Sequence, residues 1–291
     1  MAEQPLVSIV MPSLNQDAFI ERAVDSVLNQ EYRNIELLVL DGGSTDSTHD
    51  FLSARSQTDS RLRWWSGDDS GPANAVNKGI AKARGTILGW LNSDDMYATG
   101  TITRAVDRLD ANNGTMLAYG HAEWVDALDA RIYRYPTQPN LNGCQTFAEG
   151  CPICQPTVFM KRVAAQLLGP LDESLKTAFD FDLWFRAFDA FGDRIDFINQ
   201  VQAFSRWHSE TITANTRARV AIEGLILVKK YLRRIEPHWV ISYLNEPSTL
   251  IRFSCKRDAW RLIEVELMAH LDAPDLDSIR LTLVGQDLVD A

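Results

Sequence analysis

Three short polar segments carry the residue types that bind cations, phosphates or sugars, and each follows an apolar run. Asn92-Ser93-Asp94-Asp95 places two carboxylates directly after residues 86–91, a buried-strand pattern. Oxygen donors at a strand end suit a hard divalent cation, Mg2+ or Mn2+, rather than a thiophilic metal. A turn that caps a helix over residues 99–109 uses the same residue types. Asp41-Gly42-Gly43-Ser44-Thr45-Asp46 follows the apolar run 35–40. Its glycines let a ligand approach the backbone, and the N-terminus of the next helix favours an anion. Its carboxylate suits a base N–H or a ribose hydroxyl, and a tight turn capped by Ser44 or Thr45 accounts for the hexapeptide equally well. Pro12-Ser13-Leu14-Asn15 closes the first apolar run, with Pro12 as its stop. The chain lacks Gly-x-x-x-x-Gly-Lys-Ser/Thr, and no Gly-x-Gly-x-x-Gly follows the first run. A P-loop is therefore excluded and a dinucleotide oxidoreductase is disfavoured.

The elements that must position these turns alternate in kind. Phe19, Ile20, Ala23, Val24, Val27 and Leu28 recur at helical spacing after the first strand. Residues 62–65 read as a short strand, and residues 73–84 as a helix ending at Gly85. Strands alternating with helices imply a parallel, doubly wound α/β sheet. In such sheets ligands bind outside the carboxyl ends of the strands, so the three polar turns are expected on one rim.

The order of the blocks is more specific than any one of them. Pro-Ser-Leu-Asn, Leu40-Asp-Gly-Gly-Ser-Thr-Asp46, Asp69-Ser-Gly-Pro-Ala-Asn-Ala-Val-Asn-Lys-Gly79 and Leu91-Asn-Ser-Asp-Asp95 follow one another. Cys154-Gln-Pro-Thr-Val-Phe159, Leu171-Asp-Glu-Ser-Leu175, Phe179-Asp-Phe-Asp-Leu-Trp184 and Arg206-Trp-His208 come after them. Over about residues 5–215 the chain resembles the family 2 glycosyltransferases with the GT-A fold, a Rossmann-like, mostly parallel central sheet flanked by helices. The resemblance implies an inverting transferase that uses a nucleoside-diphosphate sugar, UDP-linked, and a divalent cation. It implies nucleotide contacts from Pro12, Ser13, Asn15 and Asp41, with Asp69, Asn77 and Lys78 closing from the side and Ser93 in the diphosphate turn. Asp94 is then the leading metal ligand, with Asp95 in support and His208 completing the site. Gln155, with Glu149 nearby, falls in the acceptor-side block.

Asp180 matches the family's catalytic base. A sugar hydroxyl is a weak nucleophile at neutral pH, and a carboxylate that takes its proton contributes roughly 10²–10⁴-fold. Asp182 is the rival base, and an N-cap on a helix starting near Phe181 is the plainer role for Asp180. The chain departs from the commonest family pattern at Gly42, Val76, Asn92 and Phe179. These changes resemble a branch with Asp-Gly-Gly-Ser-Thr-Asp and Asn-Ser-Asp-Asp turns, many members of which serve polysaccharide assembly. The acceptor implied is a glycan or a lipid-linked saccharide. Two other readings remain open: a catalytically idle nucleotide-sugar binding module, and a cytidylyl- or uridylyltransferase, whose Gly-rich basic first loop is missing here.

Composition bounds the rest. The 291 residues are 45% hydrophobic and carry a net charge of -10, an ordinary globular balance that disfavours a nucleic-acid binder. No apolar run approaches the roughly 18 residues needed to span a bilayer, and the start of the chain does not read as a secretory signal. The expected compartment is the cytoplasm, which fits Cys144, Cys151, Cys154 and Cys255 as packing thiols. The expected organisation is a GT-A domain over 1–216, with its nucleotide-binding part at about 1–95 and its acceptor-side part at about 96–216. A helical extension follows over 217–291. Residues 217–261 hold ten Lys or Arg against four acids, a net +6 in amphipathic order. Such a block suits peripheral docking on an anionic membrane, or a solvated face that answers the acidic body.

Overall fold

The computed structural model describes residues 4–110, 114–139, 141, 143–208, 211, 215–253, 255–286 and 288–289. Its first part alternates as the sequence requires: β1 (Val7–Ser13), α1 (Ile20–Leu28), β2 (Ile35–Asp41), α2 (Thr48–Thr58), β3 (Leu62–Ser66), α3 (Pro72–Lys82) and β4 (Ile87–Trp90). Strands β1 and β2 are buried along their whole length, as expected of parallel strands covered on both faces. Helix α1 buries Ile20, Ala23, Val24, Val27 and Leu28, the apolar stripe of its sequence. Pro12 does not stop β1, which runs on to Ser13. The β1–β4 register ends at Val10 opposite Trp90, while β1–β2 pairing continues to Ser13 opposite Asp41. Proline therefore falls where one side of the strand has already left its ladder. Ser44 and Thr45 are not caps either; α2 begins at Thr48, whose N–H donates to Asp46 Oδ1 at 3.0 Å.

The sheet continues through β5 (Met96–Tyr97), α4 (Thr101–Asp110), β6 (Leu117–Val125), β7 (Arg131–Arg134), β8 (Phe159–Lys161), α5 (Arg162–Leu168), α6 (Phe179–Phe191) and β9 (Ile195–Arg206). Strand order is β3-β2-β1-β4-β8-β6-β9-β5, with β7 on β6. Pairing within β3-β2-β1-β4 is parallel, and β8 is antiparallel to both β4 and β6. Strand β9 is parallel to β6, so it runs in the same sense as β4. The carboxyl ends of β1, β2, β4 and β9 thus share one edge, which brings residue 208 to the rim that carries residues 13, 41 and 94.

Among the described residues five helices follow: α7 (Arg217–Leu232), α8 (His238–Asn245), α9 (Pro247–Arg252), α10 (Lys256–Leu267) and α11 (Ala273–Gly285). The chain forms two compact units, and they do not follow the expected break at residue 216. One comprises residues 1–141, 152–174 and 186–208; the other takes 142–151 and 175–185 together with 209–291. The first unit has its core around Ile9, Val24, Leu37, Leu52, Leu91, Ile102 and Phe159. The second has its own, around Leu225, Val240, Leu244, Ile263, Leu267, Ile279 and Leu283. No helix among the described residues is long and apolar enough to cross a membrane.

Candidate active site

The turn after β4 and the end of β9 build one site in the first unit. His208 Nε2 lies 3.2 Å from Asp94 Oδ2, and the two side chains are largely enclosed. The His208 ring stacks obliquely on Phe19, with centroids 4.6 Å apart. The guanidinium of Arg206 has no exposed surface and fixes this corner. Its Nε donates to the Asp94 carbonyl at 2.7 Å, its Nη1 to the Asp126 carbonyl at 2.7 Å, and it pairs with Asp129 at 2.6 Å. One carboxylate oxygen and one imidazole nitrogen would suit a divalent cation as two of its ligands. No group of three or more His, Cys, Asp or Glu converges among the described residues, so the protein's share of such a site is small.

Asp95 points elsewhere. It is buried, and its Oδ1 accepts the N–H of Arg206 at 2.8 Å. Burial and the Asp94 charge push its carboxyl well above the usual carboxylate range. The sequence assigned Asp95 to the metal; here it ties the β4 turn to β9. Ser93 is buried in the same turn.

The nucleotide-side turns lock together. Asn15 adopts a left-handed conformation (φ 52°), its N–H donates to Ser44 Oγ at 2.7 Å, and its Oδ1 accepts the Thr45 N–H at 2.8 Å. Asp41 is fully enclosed. Its Oδ2 accepts from Gly43 N, Ser44 N, Ser66 Oγ and His49 Nε2, and its Oδ1 from the Ser44 hydroxyl. Burial pushes its carboxyl up, but Ser44, His49 and Ser66 pull it below the usual range. Asp41 therefore organises the turn from within and has no exposed edge for a base or a ribose. His49 was not among the sequence candidates; its only signal is a place in the first turn of the helix that follows the Asp-rich loop. The Ser13 hydroxyl, in contrast, is buried without a hydrogen-bond partner among the described residues. Pro12 is buried beside it. Asp69 Oδ1 accepts Gly71 N at 2.9 Å, and its Oδ2 lies 2.9 Å from where a Cβ on Gly42 would stand. The bare glycine makes room for that carboxylate.

Asn77 is committed to structure. Its amide donates to Leu171 O (3.0 Å) and Glu173 Oε1 (2.9 Å) and accepts Leu171 N (2.8 Å). It clamps the 171–173 loop to α3, where the sequence had expected a nucleotide contact. Exposed Lys78 reaches the Asp68 carbonyl at 3.2 Å. Gln155 Nε2 donates to Trp90 O at 2.7 Å, while its buried Oε1 has no hydrogen-bond partner among the described residues. Glu149 is exposed and belongs to the second unit.

Asp180 sits in the first turn of α6, also in the second unit. Its Oδ1 accepts the Phe181 N–H at 2.8 Å, but it is not the cap, because the helix starts one residue earlier, at Phe179. Burial, with the Glu223 charge adding to it, pushes its carboxyl up to about 6. Asp182, the rival base, is buried against Lys230 Nζ (2.9 Å) and Tyr231 OH (2.7 Å). Its charge is already answered.

Known proteins share this architecture. The family model described as glycosyl transferase family 2 matches residues 8–167. The chain is 30% identical over 220 residues to an uncharacterised glycosyltransferase of Rickettsia bellii (strain RML369-C), covering 71% of this chain and 30% of that relative. It therefore spans less than a third of that relative's length. Among solved structures it resembles S. aureus TarS 1–349 in complex with UDP-GlcNAc, with a TM-score of 0.64, 16% identity, and coverage of 98% of this chain and 93% of that one. It also resembles the mannosyltransferase PcManGT from Pyrobaculum calidifontis in complex with GDP-Man and Mn2+, with a TM-score of 0.63, 18% identity, and coverage of 99% and 82%. The fold so defined is GT-A, with helices added at the C-terminal end. By the extent of the family match, the chain belongs to glycosyl transferase family 2.

Proposed function

We propose that this chain is an inverting glycosyltransferase that moves a sugar from a UDP-linked donor to a hydroxyl of a glycan or lipid-linked saccharide, in the cytoplasm, during surface polysaccharide assembly. The observation that carries the reading is the pairing of Asp94 Oδ2 with His208 Nε2, 3.2 Å apart, although 114 residues separate them in sequence. Membership of the family supports transfer, and the nucleotide sugars bound by TarS and PcManGT support this class of donor. Four cysteines outside any disulfide among the described residues agree with a reducing compartment.

Asp94 and His208 would hold Mn2+ or Mg2+. When bound, the cation neutralises charge that builds on the departing nucleoside diphosphate. The remaining chemistry belongs to the chain. The Ser13 hydroxyl and the Asn15 and Asp69 loops receive the nucleotide. Asp180 takes the proton of the acceptor hydroxyl as that oxygen attacks the anomeric carbon, and a single displacement inverts the centre. With its carboxyl near 6, Asp180 is mostly ionised at neutral pH yet basic enough to accept a proton. Gln155 and Glu149 are assigned to the acceptor side. No membrane contact is assigned to residues 217–261, because most of their cations pair within the second unit.

Calorimetric titration with UDP and Mn2+ tests the donor site. Asp94→Ala and His208→Ala are each expected to weaken UDP at least about tenfold, and EDTA to have a similar effect on the parent protein. Unchanged affinity in EDTA and in Asp94→Ala would remove the metal assignment. A GDP titration tests the base, and donor binding with neither transfer nor hydrolysis would leave a binding module.

A further inference from the structure

The segment that leads into α6 is held by a residue that belongs to another helix. A helix N-terminus leaves backbone N–H groups without intrahelical partners, and a Ser, Thr, Asp or Asn at the cap position ordinarily accepts from them. That position is held here by Ala178, whose carbonyl accepts the Asp182 N–H at 3.0 Å and whose side chain can accept nothing. Glu223 of α7 does not replace that cap but binds the residues just before the helix. Its Oε1 accepts Lys176 N at 2.9 Å; its Oε2 accepts Thr177 N at 2.9 Å, Ala178 N at 2.9 Å and the Thr177 hydroxyl at 2.8 Å. Glu223 is only 5% exposed. One buried carboxylate thus gathers three consecutive N–H groups immediately before the helix that carries Asp180.

The same helix, α7, grips the next turn of α6. Lys230 and Tyr231 hold Asp182, and the Tyr231 ring stacks on Phe185 at 4.7 Å, with the planes 10° apart. Among the described residues, the charged groups at this end of α6 include Glu223 and Lys230 from α7, Asp182 from α6 itself and Lys176 in the segment that Glu223 holds. Lys230 and Asp182 neutralise each other, so Glu223 supplies the net charge near Asp180. A local Ser at residue 178 would cap the helix without burying a charge. A glutamate from a distant helix does something a local cap does not: it fixes the approach to Asp180 to the C-terminal helical unit.

We propose that Glu223 is the positioning residue of Asp180, holding the 176–178 segment so that the C-terminal helices set the presentation of the base. This rests on the reading of Asp180 as the base. Glu223 touches no reacting atom; it acts through the backbone that leads into α6.

Glu223→Gln in the full chain tests it, because the amide keeps the volume but sets N–H groups against N–H groups. Transfer from a UDP-sugar is measured against pH, with UDP binding by calorimetry and thermal melting alongside. The expected result is a kcat at least about tenfold lower, with UDP affinity within about twofold of the parent. The acid limb of the kcat profile should move to lower pH, since a negative neighbour has gone. Glu223→Asp, one methylene shorter but still charged, should restore the limb and part of the rate. The proposal is overturned if Glu223→Gln melts lower with kcat within about twofold of the parent, which describes a structural tether and nothing more. Should Glu223→Gln fail to fold, a parental kcat in Glu223→Asp overturns it, and a lowered kcat with parental UDP affinity supports it. Asp180→Asn, run in parallel, keeps the two ideas separate: retained activity there sinks the base assignment, whatever Glu223 does.

Discussion

At the scale of single residues, Asp180 makes activity and stability pull in opposite directions. Burial and the Glu223 charge lift its carboxyl from the ordinary value to about 6. The native state then holds this proton more tightly than the unfolded chain. The stability it contributes is complete below about pH 4 and is lost as pH rises through about 6. Asp180→Asn should therefore melt with the parent at pH 4 and higher than the parent at pH 8, while kcat falls on the order of 10²-fold or more. Scanning calorimetry at the two pH values and a rate assay check both halves; a lower melting temperature at pH 8 would mean that the charge stabilises the fold. The parent's rate should rise with pH through about 6. Asp182→Asn should do the reverse, keeping most of kcat and losing about 1–2 kcal/mol as its bond to Lys230 weakens. The types of these residues were legible in the sequence, but not their directions. A carboxylate at a strand end, or an amide on a helix beside a loop, first meets the backbone donors around it, which is why Asp41, Asp95 and Asn77 turn inward. Arg206 and Glu223 went unnoticed as organisers because the groups they hold lie far away in sequence.

At the scale of elements, the parallel half of the sheet was readable because burial on both faces imposes continuous apolar runs, and β1, β2 and β4 have them. Of the later strands, β5 with two residues and β8 with three were not, because they are too short to show a period. The packing of α3 on the sheet depends on Gly79. A Cβ there would stand 2.3 Å from Val10 Cγ1 and 2.9 Å from Leu40 Cδ2, one residue on each of two central strands. Neither strand can retreat without disturbing its ladder. Gly79→Ala gains helix propensity of about 1 kcal/mol but overpacks by about 1–3 kcal/mol. The expected outcome in urea is a net loss of up to about 2 kcal/mol with an unchanged denaturant slope. A more stable variant would show that α3 has room to shift.

At the scale of the whole molecule, the charge asymmetry was plain in the sequence and its destination was not. The chain carries -10 in total, yet residues 217–261 carry +6. Free cations in that number would draw the block to an anionic bilayer at roughly 1 kcal/mol each. In the structure Arg217 pairs with Glu246, Arg219 with Glu266, Lys229 with Asp275, Lys230 with Asp182 and Arg234 with Glu236. Lys256 donates to Asn245, and Arg252 lies over Phe253. Two of the acids concerned, Asp275 and Glu266, come from outside the basic block, and Asp182 comes from α6. A segment sum cannot anticipate such partners, because the helices that supply them are brought alongside only by the second core. Cations already matched to carboxylates have little left to offer lipid phosphates, since docking would first have to open those pairs. Sedimentation with vesicles rich in anionic lipid should accordingly leave the protein in the supernatant at low salt as at high salt. Pelleting at low salt that is reversed at high salt would show that the pairs open at a charged surface. Pelleting indifferent to salt would point instead to exposed apolar side chains such as Ile251 and Val265, which are 87% and 71% exposed. Ile251→Asp would then release it, and charge reversal at Lys229 would not.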